Sequence, residues 1–264
     1  MQHNGSTRSS TTQQYEISRR EARAQRILDA AATLILRWGY QKTTLDDISR
    51  QAGVAKSTIY LHWKTREDLF EALIQREKIA MAEDLKQRIQ ADPAGVTLHG
   101  MLKHSALALM QRPLLKAVLL RDMDILGKLT HRAHHTASYG ERLKGFEVYL
   151  KLLREHHLVR TDLDLRAQVY MLSAIFAGFF FVAPLLPDEF KLTDEKLADL
   201  LAETIHRTLE TDYAVPSPAL QTVSHAFMQY LNHSVAVAQE QLQQETVPQY
   251  NHNAEKERST RDEQ

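Results

Sequence analysis

Residues Thr43 to Phe70, TTLDDISRQAGVAKSTIYLHWKTREDLF, read as two short helices joined by a tight turn, with a third helix starting at once behind them. Thr44 is placed to cap the first, and Asp46 and Asp47 fall in its opening turn, where the helix dipole favours acids. Leu45, Ile48 and Ala52 share one face at helical spacing, and Gly53 can take the left-handed conformation that ends such a helix. Val54 fills the angle, and the run from about Lys56 turns Ile59 inward. Its other face holds Lys56, Ser57, Thr58, Tyr60 and His62, all hydrogen-bonding types. A short helix with a polar first turn, set across a glycine turn from a supporting helix, suits the DNA major groove.

Charge supports this reading locally rather than globally. Lys plus Arg and Asp plus Glu both number 33. Met1 to Lys64 alone carries ten basic against five acidic side chains, a surplus of +5 that the rest of the chain offsets. A basic N-terminal module on an acidic body fits a phosphate-facing head and a partner-facing trunk. The 264 residues allow one large domain or two smaller ones. Cysteine is absent, which excludes disulfides and thiolate chemistry. Met1 to Gln14 is polar, rich in Ser, Thr and Gln, and shows no secretory pattern. A disordered tail over residues 1–17 and a cytoplasmic protein are therefore expected.

The same stretch resembles the DNA-binding segment of the TetR family of one-component bacterial repressors. The resemblance is close from about Arg19 to Leu73 and is one of helical layout beyond. It rests on a helix-starting Thr44, the turn Ala52-Gly53-Val54, the run Ser57 to Tyr60, and Trp63 with Lys64 opening the next helix. Two residues depart from the pattern. Ala55 sits where a capping Ser is common, and Leu61 where a polar or aromatic residue is usual, which would favour a thymine methyl contact. The resemblance implies a homodimer, a palindromic double-stranded DNA operator and a small-molecule effector, apolar or amphipathic, that releases the repressor. Thr44, Tyr60 and Lys64 then suit phosphate oxygens, while Lys56, Ser57 and Thr58 face base edges and His62 joins the same surface. Trp63 is expected to pack the head.

Strand signals are scarce and helical periodicity recurs, so the fold predicted is all-α: a three-helix DNA-binding head plus a larger helical ligand-binding and dimerisation domain. The head is expected over residues 18–64, with its helix-turn-helix at about 44–63 and Arg19, Arg20, Arg23 and Arg26 lining the first helix. Those arginines are open to two readings, a DNA backbone contact or a solvated face. Thr65 begins a long connecting helix that runs to Asp92-Pro93. The trunk spans 65–214, with helices over Val96–Met110, Pro113–Leu129, Ser138–His157, Asp164–Leu186 and Thr193–Tyr213. An additional C-terminal helix is expected over 215–246 and a disordered tail over 247–264.

Ala167 to Pro187, AQVYMLSAIFAGFFFVAPLLP, lacks charge and approaches the length of a membrane span. Gln168, Ser173, Pro184 and the absence of a following Lys/Arg cluster argue instead for a buried helix that serves both ligand chamber and subunit interface, with no membrane. Gly178 would let two helices approach, and Phe179 and Phe180 are the interface candidates. Met101, Met110, Met123, Tyr149, Tyr170 and Phe176 are the candidate lining of an adaptable effector pocket. His131 and His134 or His135 have chelate spacing, yet no carboxylate sits at a fixed ligand distance, so no metal or cofactor is expected. No phosphate loop, nucleophile elbow or HExxH pair is present, and Asp122 and Asp124 point to different sides of a helix, so the chain does not read as an enzyme. The alternative is a helical small-molecule or metal carrier without specific DNA binding.

Overall fold

Two threonines set the register of the N-terminal third. In the computed structural model, which describes residues 6–92, 94–126, 137–211 and 217–246, Thr44 caps α2 (Leu45–Ala52) and Thr65 caps α4 (Arg66–Ala91). Each forms a reciprocal capping box with an aspartate three residues on, Asp47 or Asp68, and such a box stabilises a helix start by about 1 kcal/mol. Between them lies α3 (Lys56–Tyr60), which begins at Ala55 without a side-chain cap, as the missing Ser implied. Gly53 turns the chain at φ 64°, a conformation strained for any residue with a Cβ.

Ahead of them, α1 (Ser6–Trp38) starts in the stretch read from sequence as a tail, well before Ser18. Once a helix is nucleated each further residue adds one hydrogen bond, so polar turns extend it without an apolar stripe. Ile27, Leu28, Ala31, Leu34 and Ile35 of α1 close over Ile48, Ile59, Trp63, Leu69, Phe70 and Leu73 to form the core of the head.

The trunk consists of α5 (Leu98–Met110), α6 (Pro113–Leu120), α7 (Met123–Leu126), α8 (Ala137–Glu155), α9 (Leu165–Val182), α10 (Asp194–Leu209) and α11 (Ser217–Thr246). No strand forms among the described residues, only an isolated bridge between Val159 and Glu210. The single helix expected over Pro113–Leu129 is broken, because Arg121 adopts a left-handed φ of 51° and Asp122 then accepts the N–H of Ile125 at 3.1 Å to start α7. Arg112, at the corner before Pro113, donates to the carbonyls of Ala80 (2.8 Å) and Ala108 (3.0 Å) and so ties that corner to the middle of α4. The additional helix α11 lies along α4 and against α8, with Val223, Phe227 and Leu231 buried. Phe227 stacks on Tyr149 with ring centroids 4.5 Å apart, and the Tyr149 hydroxyl donates to the Val96 carbonyl at 2.6 Å.

The apolar helix α9 is not buried as expected. Only Gln168, Leu172 and Phe180 are buried, and the most apolar 18 residues within Leu165–Leu185 are 17% buried. That stretch is long and apolar enough to cross a membrane by length and composition. Its buried Gln168, however, donates to the Arg160 carbonyl and accepts from Arg154 at 2.6 Å, a protein-satisfied polar anchor at one end.

Candidate nucleic-acid interface

The recognition face is built by what lies beneath it. Ile59 and Trp63 are buried and fix the roll of α3, leaving Lys56, Ser57, Tyr60, Leu61 and Lys64 exposed and Thr58 half-buried. Tyr60 is 49% exposed, so its hydroxyl is available to a ligand. Lys56 Nζ lies 2.8 Å from Asp46 Oδ2, and this hydrogen bond raises its pKa. Arg20 of α1 donates to the Leu61 carbonyl at 3.2 Å and holds the end of α3, which gives one of the four arginines a role inside the head.

One expected contact is corrected, and the hydroxyl of a second is already engaged. His62 is 5% exposed and packs on the Trp63 ring with centroids 5.3 Å apart. The chain leaves the helix at Tyr60 and turns at Leu61, so the helical face extrapolated to His62 no longer applies. Thr44 is exposed, but its hydroxyl already donates to Asp47 Oδ2 at 2.6 Å and accepts the Asp47 N–H at 3.2 Å. These bonds hold the Asp47 carboxyl below its usual pKa and occupy the group expected to meet phosphate.

A hub that sequence reading missed connects this head to the trunk. Tyr40, buried behind Gly39, donates its hydroxyl to Glu67 Oε1 at 2.9 Å, and its ring carries the Arg66 guanidinium 4.0 Å above. Arg66 also donates to the Thr43 carbonyl at 2.9 Å. Burial and the Glu67 bond push the Tyr40 hydroxyl up to a pKa of about 12, keeping it a donor. The Tyr40 N–H donates to the Ile125 carbonyl at 2.7 Å, a backbone bond from the turn after α1 straight to α7.

Residues 27–73, which span α3 and most of this core, match the family model of bacterial regulatory proteins of the tetR family. The match covers the head alone, which is similar to the DNA-binding segment of that family. Its N-terminal head is thus of the helix-turn-helix DNA-binding type. Among similar proteins is YvkB of Bacillus subtilis, described as an uncharacterized HTH-type transcriptional regulator, 28% identical over 165 residues that cover 59% of this chain and 80% of that one. SmeT, repressor of the Stenotrophomonas maltophilia multidrug efflux pump SmeDEF, matches at TM-score 0.55 and 20% identity over 73% of this chain and 93% of its own. FadR from Bacillus subtilis, solved in complex with stearoyl-CoA, matches at TM-score 0.51 and 20% identity, covering 69% and 96%. These two likenesses establish the TetR-type fold.

The candidate pocket residues whose side chains are described stand in different surroundings. Met101 and Tyr149 are buried in core packing, Tyr149 with its hydroxyl bonded, and Tyr170 is 77% exposed on the outside of α9. Met110 and Phe176 are half-buried. The side chain of Met123, like residues His131, His134 and His135, lies outside the described part. Of the interface candidates, Phe180 is buried in the protomer against Phe176 (centroids 5.2 Å), whereas Phe179 is half-buried. A stripe of inward residues at four-residue intervals, Gln168, Leu172, Phe176 and Phe180, selects which phenylalanines enter the core.

Proposed function

We propose that the chain is a homodimeric, cytoplasmic repressor that reads a palindromic operator through Lys56, Ser57, Thr58, Tyr60 and Lys64 and is released by an apolar or amphipathic small molecule. The observation that carries the DNA reading is the exposed polar face of α3 held over buried Ile59 and Trp63. Lys56 to Thr58 face base edges, and Tyr60 and Lys64 meet phosphate oxygens. Dimerisation rests on α9, whose outer face shows Tyr170, Phe181, Val182 and, just beyond, Leu185. A Cβ added to Gly178 would meet nothing within 4 Å, which leaves room for a second helix to approach. A second copy covers this face in a two-fold arrangement, and two-fold symmetry accounts for the palindrome. The bonded Gln168 favours a protein partner over lipid.

Release follows from linkage. The ligand binds one arrangement of the trunk better, and α6 and α7 pass that preference to α4 through Arg112 and to the head through the Ile125–Tyr40 bond. Met110 and Phe176 remain the lining candidates, and the stearoyl-CoA held by FadR supports the class of effector. Selection of bound duplexes from a random DNA library at two salt concentrations, beside a Tyr60→Ala, Lys64→Ala control, tests the reading. An enriched palindrome lost in the control supports it. Weak binding without a motif, steeply dependent on salt, moves the carrier alternative ahead.

A further inference from the structure

Far from the recognition helix, three potential metal ligands converge where the start of α5 meets the end of α10. His99 Nδ1 lies 2.6 Å from Glu210 Oε2, and His206 Nδ1 lies 2.7 Å from the same oxygen. One ligand atom from each of the three residues falls within 4.8 Å of the others. We propose that His99, His206 and Glu210 form a binding site for a divalent transition-metal ion, with Zn2+ the ion the donors fit best. Two imidazoles and one carboxylate are a recognised three-ligand set for Zn2+, which leaves a fourth position for water.

The site is built rather than incidental. The Glu210 side chain is 6% exposed, and a carboxylate that deep needs positive charge or several donors. Its backbone is pinned by the bridge to Val159 and by the Arg160 N–H bonded to the Leu209 carbonyl at 2.9 Å. Its second oxygen accepts the His99 backbone N–H at 2.9 Å, so the carboxylate is oriented from behind. His99 sits in the first turn of α5, capped by Thr97, and His206 lies one turn before Glu210 along α10.

The mouth is a surface cavity of about 310 Å3 lined by His99, Asp199, Ala202, Glu203 and His206, giving an ion a route in. The present contacts are hydrogen-bond lengths. Metal bonds of about 2.0–2.1 Å place tetrahedral ligands about 3.3 Å apart, so each histidine–carboxylate pair must open by about 0.6–0.7 Å. His206, 46% exposed, has the freedom to move that far. A bound ion would join two segments that lie 111 residues apart, at the principal helix contact of the trunk.

The test is calorimetric titration of ZnCl2 into full-length, tag-free protein stripped with EDTA, repeated with CoCl2 by visible absorption. One ion per chain is expected, with a Co2+ spectrum of low coordination number and a rise in Tm that EDTA reverses. His206→Ala removes a half-exposed ligand and should leave the circular dichroism unchanged while weakening Zn2+ binding by about 100-fold or more. Glu210→Gln should do the same, and His206→Ala keeps the test decisive if Glu210→Gln unfolds. The chain has 13 histidines, so tight binding retained in folded His206→Ala would assign the ion elsewhere and overturn the proposal. Absence of binding to the native protein would overturn it equally. Because the readout is metal affinity, it is independent of whether the operator reading holds.

Discussion

The head and the trunk solve opposite problems with the same element. In the head, α3 buries its apolar residues and turns polar groups outward, so it is complete within one protomer and offers a surface suited to a hydrophilic partner. In the trunk, α9 buries a narrow stripe and turns Tyr170 and Phe181 outward, and the turn just beyond it leaves Leu185 80% exposed. An exposed apolar face of that kind marks a site for a partner. The head therefore presents a surface for a hydrophilic ligand, and the trunk presents an apolar face that the proposed second copy would cover.

The sharpest way to separate the two is to damage each alone. Phe227→Ala removes the ring between α11 and Tyr149 and should lower trunk stability by about 3–5 kcal/mol, read from urea unfolding. Phe181→Glu places a charge on the outer face of α9. It should turn dimers into monomers by light scattering and weaken operator binding by about 100-fold, or about 3 kcal/mol, with the head still folded. A Phe181→Glu protein that stays dimeric would put the subunit contact elsewhere.

On the head, Tyr60→Ala with Lys64→Ala removes two exposed side chains. Stability should change by no more than about 0.5 kcal/mol, while operator affinity falls about 10- to 100-fold and the salt dependence shallows by about one counterion. Thr65→Ala breaks the capping box at the start of α4 and should cost about 1 kcal/mol in thermal unfolding. The smallest effect concerns pH. The Asp47 pKa is lowered in the folded head, so its contribution to stability is present above the ordinary aspartate range and lost as pH falls through the folded value. Asp47→Asn should therefore flatten the acid limb of the unfolding profile slightly.

What was legible in the sequence was local. The capping threonines, the Gly53 turn and the inward Ile59 all depend on neighbours a few residues away, and each stands where spacing put it. His62 was misread because helical periodicity was carried two residues past the end of α3. The break at Arg121 carries no glycine or proline to announce it. Tyr40 with Arg66 and Glu67, Arg112 with Ala80, and His99 with Glu210 join residues far apart in the chain, and no spacing rule brings them together. On α9 the number of phenylalanines was visible, but which of them face inward depends on where α6 and α10 pack.

The measurement that bears most directly on the whole account is a fluorescence-anisotropy titration of the protein against the selected operator and against one isolated half-site. A dimer reading two successive major grooves should bind the full palindrome at least about 100-fold more tightly than the half-site, and Phe181→Glu should erase that difference. Equal affinity for the two duplexes would contradict the account, because it would mean that one head acts alone and that the exposed face of α9 serves another partner.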